Sequence, residues 1–118
     1  MSKRDRAYLS VARYLASKSN QRMKHGAIVV KGGRVLGTGY NKGRNHPFIV
    51  SSEHIKEHCS RHAEVEAIKD AGPNTKGAVI YVARVSRHGY DRNSKPCERC
   101  QDAIDAAGIK KVIYTSEK

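Results

Sequence analysis

The stretch CERCQDAIDAAGIKKVIYT, residues 97–115, contains a helix and a strand. CERCQDAIDAAG (97–108) reads as a helix closed by Gly108, a residue that accepts the left-handed conformation at a helix end. KKVIYT (110–115) reads as a short strand. AVIYVARV (78–85), upstream, is β-rich and predicts a strand of its own. A helix lying between two strands is a crossover, and crossovers join parallel strands of one sheet. The fold class therefore turns on this segment.

Working outward, RHGYDRNSK (87–95) reads as a polar turn. HAEVEAIKDAG (62–72) reads as a helix, with Ala63, Ala67 and Ile68 in phase and Gly72-Pro73 as a stop. AIVV (27–30) and RVLGTGYN (34–41) are strands joined by Lys31-Gly32-Gly33, where paired glycines accept the positive φ of a tight hairpin. Asp5 to about Ser19 reads as a first helix, with Ala7, Val11 and Leu15 recurring every four residues beside Tyr8 and Ala12. Residues 42–60 read as a long loop with a helical turn near 53–58, and loops of that length are often functional. The expected fold is α/β with a mixed central sheet, in the order αββαβαβ. Its length of 118 residues suits a single domain, 1–118. Hydrophobic residues make up 38%, with no Trp and one Phe, so the core should be aliphatic.

No apolar run reaches the roughly 20 residues that span a bilayer, and MSKRDRAYLS lacks the apolar core of a secretory signal. Three cysteines do not close into pairs, which suits a reducing compartment where thiols bind metal. The expected location is cytoplasmic, with no membrane partner. A net charge of +12, from 23 Lys and Arg against 11 Asp and Glu, favours partners that carry phosphate. The same charge on a merely soluble basic surface would name no ligand. No GxGxxG follows a strand and no P-loop pattern occurs, so hydride and phosphate transfer find no support.

The chemistry-bearing residues sit at two helix starts. Zinc takes imidazole and thiolate donors tetrahedrally, and a catalytic site keeps its fourth position for water. His62, Cys97 and Cys100 supply three donors. Cys97 and Cys100, three apart on a first turn behind Pro96, project to one side, where the helix N-terminus favours thiolate. Glu64, two residues past His62, is placed to reach a water without binding the metal itself. Taken singly, CERC also suits a redox pair and HAE a helix cap; together, with a strand as spacer, they point to one metal centre.

His62-Ala63-Glu64 with Pro96-Cys97-Glu98-Arg99-Cys100 resembles the zinc-dependent cytidine and deoxycytidylate deaminase superfamily, whose H-x-E and P-C-x-x-C signature it matches. GRVLGTGYN (33–41) is similar to a hairpin strand of these enzymes. The resemblance implies a three-layer α/β/α fold, shortened at its C-terminus, and hydrolytic deamination of cytosine. In that chemistry a zinc-activated water attacks C4 and Glu64 shuttles protons. It further implies that Ala63 offers its backbone N–H to the base, that Asn41 contacts the sugar, and that the chain forms a homo-oligomer covering the last strand.

Free nucleotide, dCMP converted to dUMP, is the leading substrate expectation. Arg44 is the first phosphate candidate, beside Arg61, Arg84, Arg87, Arg92 and Lys95. The alternative is a cytosine or adenine in single-stranded DNA or RNA, with Tyr40, Phe48 and Tyr90 as stackers once Tyr8 and Tyr14 pack against the first helix. A non-catalytic zinc module that binds nucleic acid is the third reading, and it would make Glu64 dispensable. Cys59, His46, His54 and His58 offer donors for a second, structural zinc, against the reading of solvated loop side chains. One catalytic zinc is expected.

Overall fold

A computed structural model describes residues 2–19, 24–41, 63–86, 91–92 and 98–115, with 91–92 and 98–99 by their backbone alone. In chain order the elements are α1 (Lys3–Ser17), β1 (Lys24–Lys31), β2 (Arg34–Tyr40), α2 (Ala63–Ala71), β3 (Val79–Val85), β4 (Asp91–Arg92), α3 (Glu98–Ala106) and β5 (Lys111–Tyr114). Gly32 and Gly33 turn β1 into β2 with φ of 59° and 79°, the double positive φ that a two-residue hairpin demands. Beyond that turn the pairing slips by one residue between Val29 and Val30.

β3 pairs antiparallel with the other side of β1, and β5 runs parallel to β3, as the crossover requires. The sheet is mixed, as expected. β4 is an addition: it lies within the stretch read as a polar turn and pairs antiparallel with Arg84 and Val85. The order is therefore αββαββαβ. A two-residue strand shows no alternation to read, and it forms here because β5 pairs only with Val79 to Val82, leaving the end of β3 open.

Both faces of the central strands are covered. Ala27 and Val29 of β1, with Ile80 and Val82 of β3, face Ala63, Ala67 and Ile104 of α2 and α3. Ile28 and Val30, with Tyr81 and Ala83, face Leu9 and Ala12 of α1. The result is three layers, and it explains why β1 reads as an unbroken apolar run.

Helix α1 buries only part of the stripe expected of it: Ala12 is buried and Tyr8 and Leu15 pack against the core, whereas Ala7 and Val11 face outward. Leu9, Ala12 and Ala16 are buried, whereas Val11 is 41% and Tyr14 63% exposed. Small residues win the inner face because a Cβ on Gly26 of β1 would collide with the backbone at Ala12 and Ala16. Tyr14 is thus an outward aromatic, with the Lys18 ammonium 5.3 Å from its ring centre. Tyr8 does pack inward, its ring 5.2 Å from that of Tyr81. The Tyr81 hydroxyl donates to Asp5 Oδ1 at 2.7 Å, which holds the Asp5 carboxyl below its ordinary range, while burial pushes the Tyr81 phenol up.

Helix α2 lies directly on β2. A Cβ at Gly37 would strike the backbone of Ala67 and Ala71, and one at Gly39 would lie 2.5 Å from the Ala63 carbonyl oxygen and 2.6 Å from the Ala67 nitrogen. Neither helix backbone atom can swing aside as a side-chain tip would. Gly37→Ala should lower unfolding free energy by about 1–3 kcal/mol, and Ser10→Ala on exposed α1 should change it little; urea denaturation compares the two.

Candidate active site

β2 and β3 both run antiparallel to β1, so both end at the same edge of the sheet. Each is followed by a helix that runs back along it. Ala63 of α2 sits over Gly39 near the end of β2, and Ala71 over Gly37 further back. The other helix is tied down at its far end: the Thr75 hydroxyl donates to the Ala107 carbonyl at 2.7 Å, and the Gly77 N–H donates to the Gly108 carbonyl at 2.8 Å. Consequently the first turns of α2 and α3 lie at the same sheet edge, and the two helices pack against one another. Two helix N-termini, each with partial positive charge, favour negative groups there.

The described residues at that edge fit the chemistry read from the sequence. Ala63 is fully buried, and Glu64, next to it in the first turn of α2, is 4% exposed with its Oε1 sealed from solvent. A carboxylate this deep is uncommon without a task or a partner. Cys100, in the first turn of α3, is fully buried and not in a disulfide. A thiol at a helix N-terminus is a soft donor, which suits zinc. His62, Cys97 and Arg44 lie outside the described residues, as do Cys59, His46, His54, His58, Arg61, Phe48, Arg87, Tyr90 and Lys95. Among the described residues, therefore, no three metal-binding side chains cluster.

Asn41 is 6% exposed and closes the β1–β2 ladder. Its N–H donates to the His25 carbonyl at 3.2 Å, and its Oδ1 accepts the His25 N–H at 2.7 Å. The side-chain oxygen thus stands in for a ladder carbonyl. The same level of the sheet carries two residues that the sequence did not single out as a set. Register places His25 opposite Arg84, and alternation puts both on the face of Ala27, Val29 and Val82, the face α2 and α3 cover. Only the strand pairing reveals this; in the sequence His25 precedes a strand run and Arg84 is one arginine among many. Among the described residues, no helix is long and apolar enough to cross a membrane.

If Asn41 Oδ1 is the acceptor that holds the His25 amide, Asn41→Ala should accelerate hydrogen exchange at that amide by about tenfold or more, while amides in the centre of β1 stay protected.

Residues 2–116 match the profile of the cytidine and deoxycytidylate deaminase zinc-binding region. The chain is 33% identical over 116 residues to the riboflavin biosynthesis protein RibD of Aquifex aeolicus, covering 95% of this chain and 28% of that protein. It is 30% identical over 131 residues to the deoxycytidylate deaminase of Mycobacterium phage D29, covering 96% of this chain and 94% of the phage protein. The dCMP deaminase of cyanophage S-TIM5 in apo form superposes with a TM-score of 0.71 at 30% identity, over 97% of this chain and 84% of its own. That enzyme in complex with dCMP and dUMP gives 0.69 at 28%, over 97% and 82%. The three-layer mixed-sheet arrangement is thus the cytidine-deaminase-like fold.

Proposed function

The chain belongs to the cytidine and deoxycytidylate deaminase family, and on that premise we propose that it is a zinc-dependent hydrolase that deaminates dCMP to dUMP. The observation that carries the reading is the buried carboxylate of Glu64, one residue after buried Ala63, at the same sheet edge as the buried Cys100 thiol. The nucleotide is favoured over other cytosine substrates by the likeness to two phage enzymes named for deoxycytidylate, one of them solved with dCMP and dUMP. The RibD likeness is to a quarter or so of a longer protein.

His62, Cys97 and Cys100 would hold one zinc ion, a donor set with a position left for water. Bound zinc supplies Lewis acidity that makes water a nucleophile at neutral pH. Glu64 accepts one proton of the attacking water and delivers it to N3 of the base as C4 is attacked, then takes up the remaining hydroxyl proton and passes it to the departing amine. The water oxygen becomes the C4 carbonyl oxygen, the C4–N4 bond breaks, and ammonia leaves. Burial of Glu64 keeps bulk water from competing for the proton. The Ala63 backbone N–H addresses the base carbonyl and Asn41 the sugar. Arg44 is a further candidate for substrate contact. The whole chain acts as one domain, in a cytoplasmic homo-oligomer whose contacts cover the outer side of β5.

Ammonia release by zinc-loaded protein from dCMP, deoxycytidine, CMP and a cytosine-containing single-stranded oligonucleotide tests this directly. Turnover of dCMP is expected, and Glu64→Gln should lower it by a factor of about 10²–10⁴ while zinc stays bound. Retained activity in that variant would overturn the proton-shuttle role. A polynucleotide substrate is the second reading, favoured by the charge of +12 and the outward ring of Tyr14. It requires turnover of the oligonucleotide with a steep fall as salt rises.

A further inference from the structure

We infer that Arg84 binds the phosphate carried by the substrate's sugar and so sets the preference for a phosphorylated substrate; this rests on the cytosine-deaminase reading above. Three observations converge on it. First, the strand registers align Asn41, His25, Arg84 and Arg92 in a single row across β2, β1, β3 and β4. The row lies two residues beyond the level of Gly39 and Ala27, about 7 Å further toward the sheet edge, and Ala63 sits over Gly39. It therefore lies one step beyond the level of Ala63 and Glu64, toward the sheet edge at which α2 and α3 begin.

Second, alternation along β3 fixes the direction of Arg84. Ile80 and Val82 face α2 and α3, while Tyr81 and Ala83 face α1, so Arg84 faces the helices that carry Glu64 and Cys100. Its Nε is buried although the residue as a whole is only partly so. The stem of the side chain is thus held in the protein. Its backbone is held as well, since the Arg84 N–H donates to Oγ1 of buried Thr115 at 3.1 Å. An arginine anchored in this way loses less freedom on binding than a surface one.

Third, the register sets a second arginine, Arg92, directly opposite Arg84. Two cationic residue types at opposed register positions bring positive charge to this level of the sheet, which favours an anion there. A phosphate is the anion that the guanidinium fork fits in two-pronged fashion. A chain of Asn41 for the sugar and Arg84 for the phosphate, with Ala63 and Glu64 for the base, follows the order of the parts of a nucleotide. The phosphate is either the monoester of a free nucleotide or a diester in a strand, and both present the same oxygens to Arg84.

The test compares KM for dCMP, deoxycytidine and the oligonucleotide in wild type, Arg84→Ala and Arg84→Lys. The expected result is that the preference for a phosphorylated substrate over deoxycytidine falls about 10- to 100-fold in Arg84→Ala and returns in part with Lys. A fall confined to dCMP assigns the phosphate to a free nucleotide; one confined to the oligonucleotide assigns it to a strand. An equal loss on deoxycytidine, as a purely structural arginine would give, overturns the inference, and so does an unchanged preference. Calorimetric binding of dUMP, deoxyuridine and inorganic phosphate to the Glu64→Gln form reads the site without turnover. Phosphate-dependent binding that is lost with Arg84 would uphold it even if dCMP were not deaminated. Equal affinity for dUMP and deoxyuridine, with no uptake of phosphate, would overturn it while leaving the deaminase reading intact.

Discussion

The missing Cβ atoms of Gly37 and Gly39 are the constraint on which the arrangement of the site depends. A helix normally packs on a sheet with side chains between the two backbones, some 10 Å apart. Here the α2 backbone at Ala63, Ala67 and Ala71 comes down onto bare positions of β2. The alanines match the glycines: larger residues on either side would lift the helix. Because Ala63 and Glu64 form the first turn of α2, their depth follows from this contact. Lifting α2 by a methyl group would move the first turn away from α3 and from the sheet edge together.

The same closeness explains how a carboxylate comes to be buried. Glu64 sits beside a helix N-terminus whose partial positive charge offsets part of the desolvation cost, and the second N-terminus, of α3, adds to it. Cys100 draws on the same field. The parallel course of β2 and β3 is what brings both helix starts to one edge. That course follows from β1 lying between them, antiparallel to each. The order of the strands, and not any single residue, makes the electrostatics of the edge.

Much of this was legible in the chain itself. The hairpin glycines, the Gly108 stop and the helix–strand crossover mark out the mixed sheet because each has a local signature. HAE and PCERC stand out in the chain because metal chemistry constrains both residue type and spacing, and the fold brings the first turns of α2 and α3, with Glu64 and Cys100, to one sheet edge. The inner face of α1 was legible only in part: Ala12 and Leu15 turn inward as read, but two apolar sets, Ala7–Val11 and Leu9–Ala16, both fit a helical period. Gly26, which selects the second set by close approach, lies in a different element. Tyr14 was misplaced for the same reason. β4 escaped because two residues carry no period. The row of Asn41, His25 and Arg84 escaped because register is a relation between strands far apart in sequence.

Charge connects this geometry with what the molecule meets. A surface of +12 draws anions from every direction, speeding encounter without choosing among them. Choice requires a cation at a fixed distance and direction from the reacting base. Among the described residues most arginines and lysines are exposed, and there a flexible side chain and screening by salt make each contact weak. Arg84 differs in having its stem buried and its strand pinned to both neighbours, so its field is local and less screened. A basic surface of this kind thus serves collection, while a single anchored arginine on the α2 and α3 face serves selection, and the two functions need different degrees of burial from the same side chain.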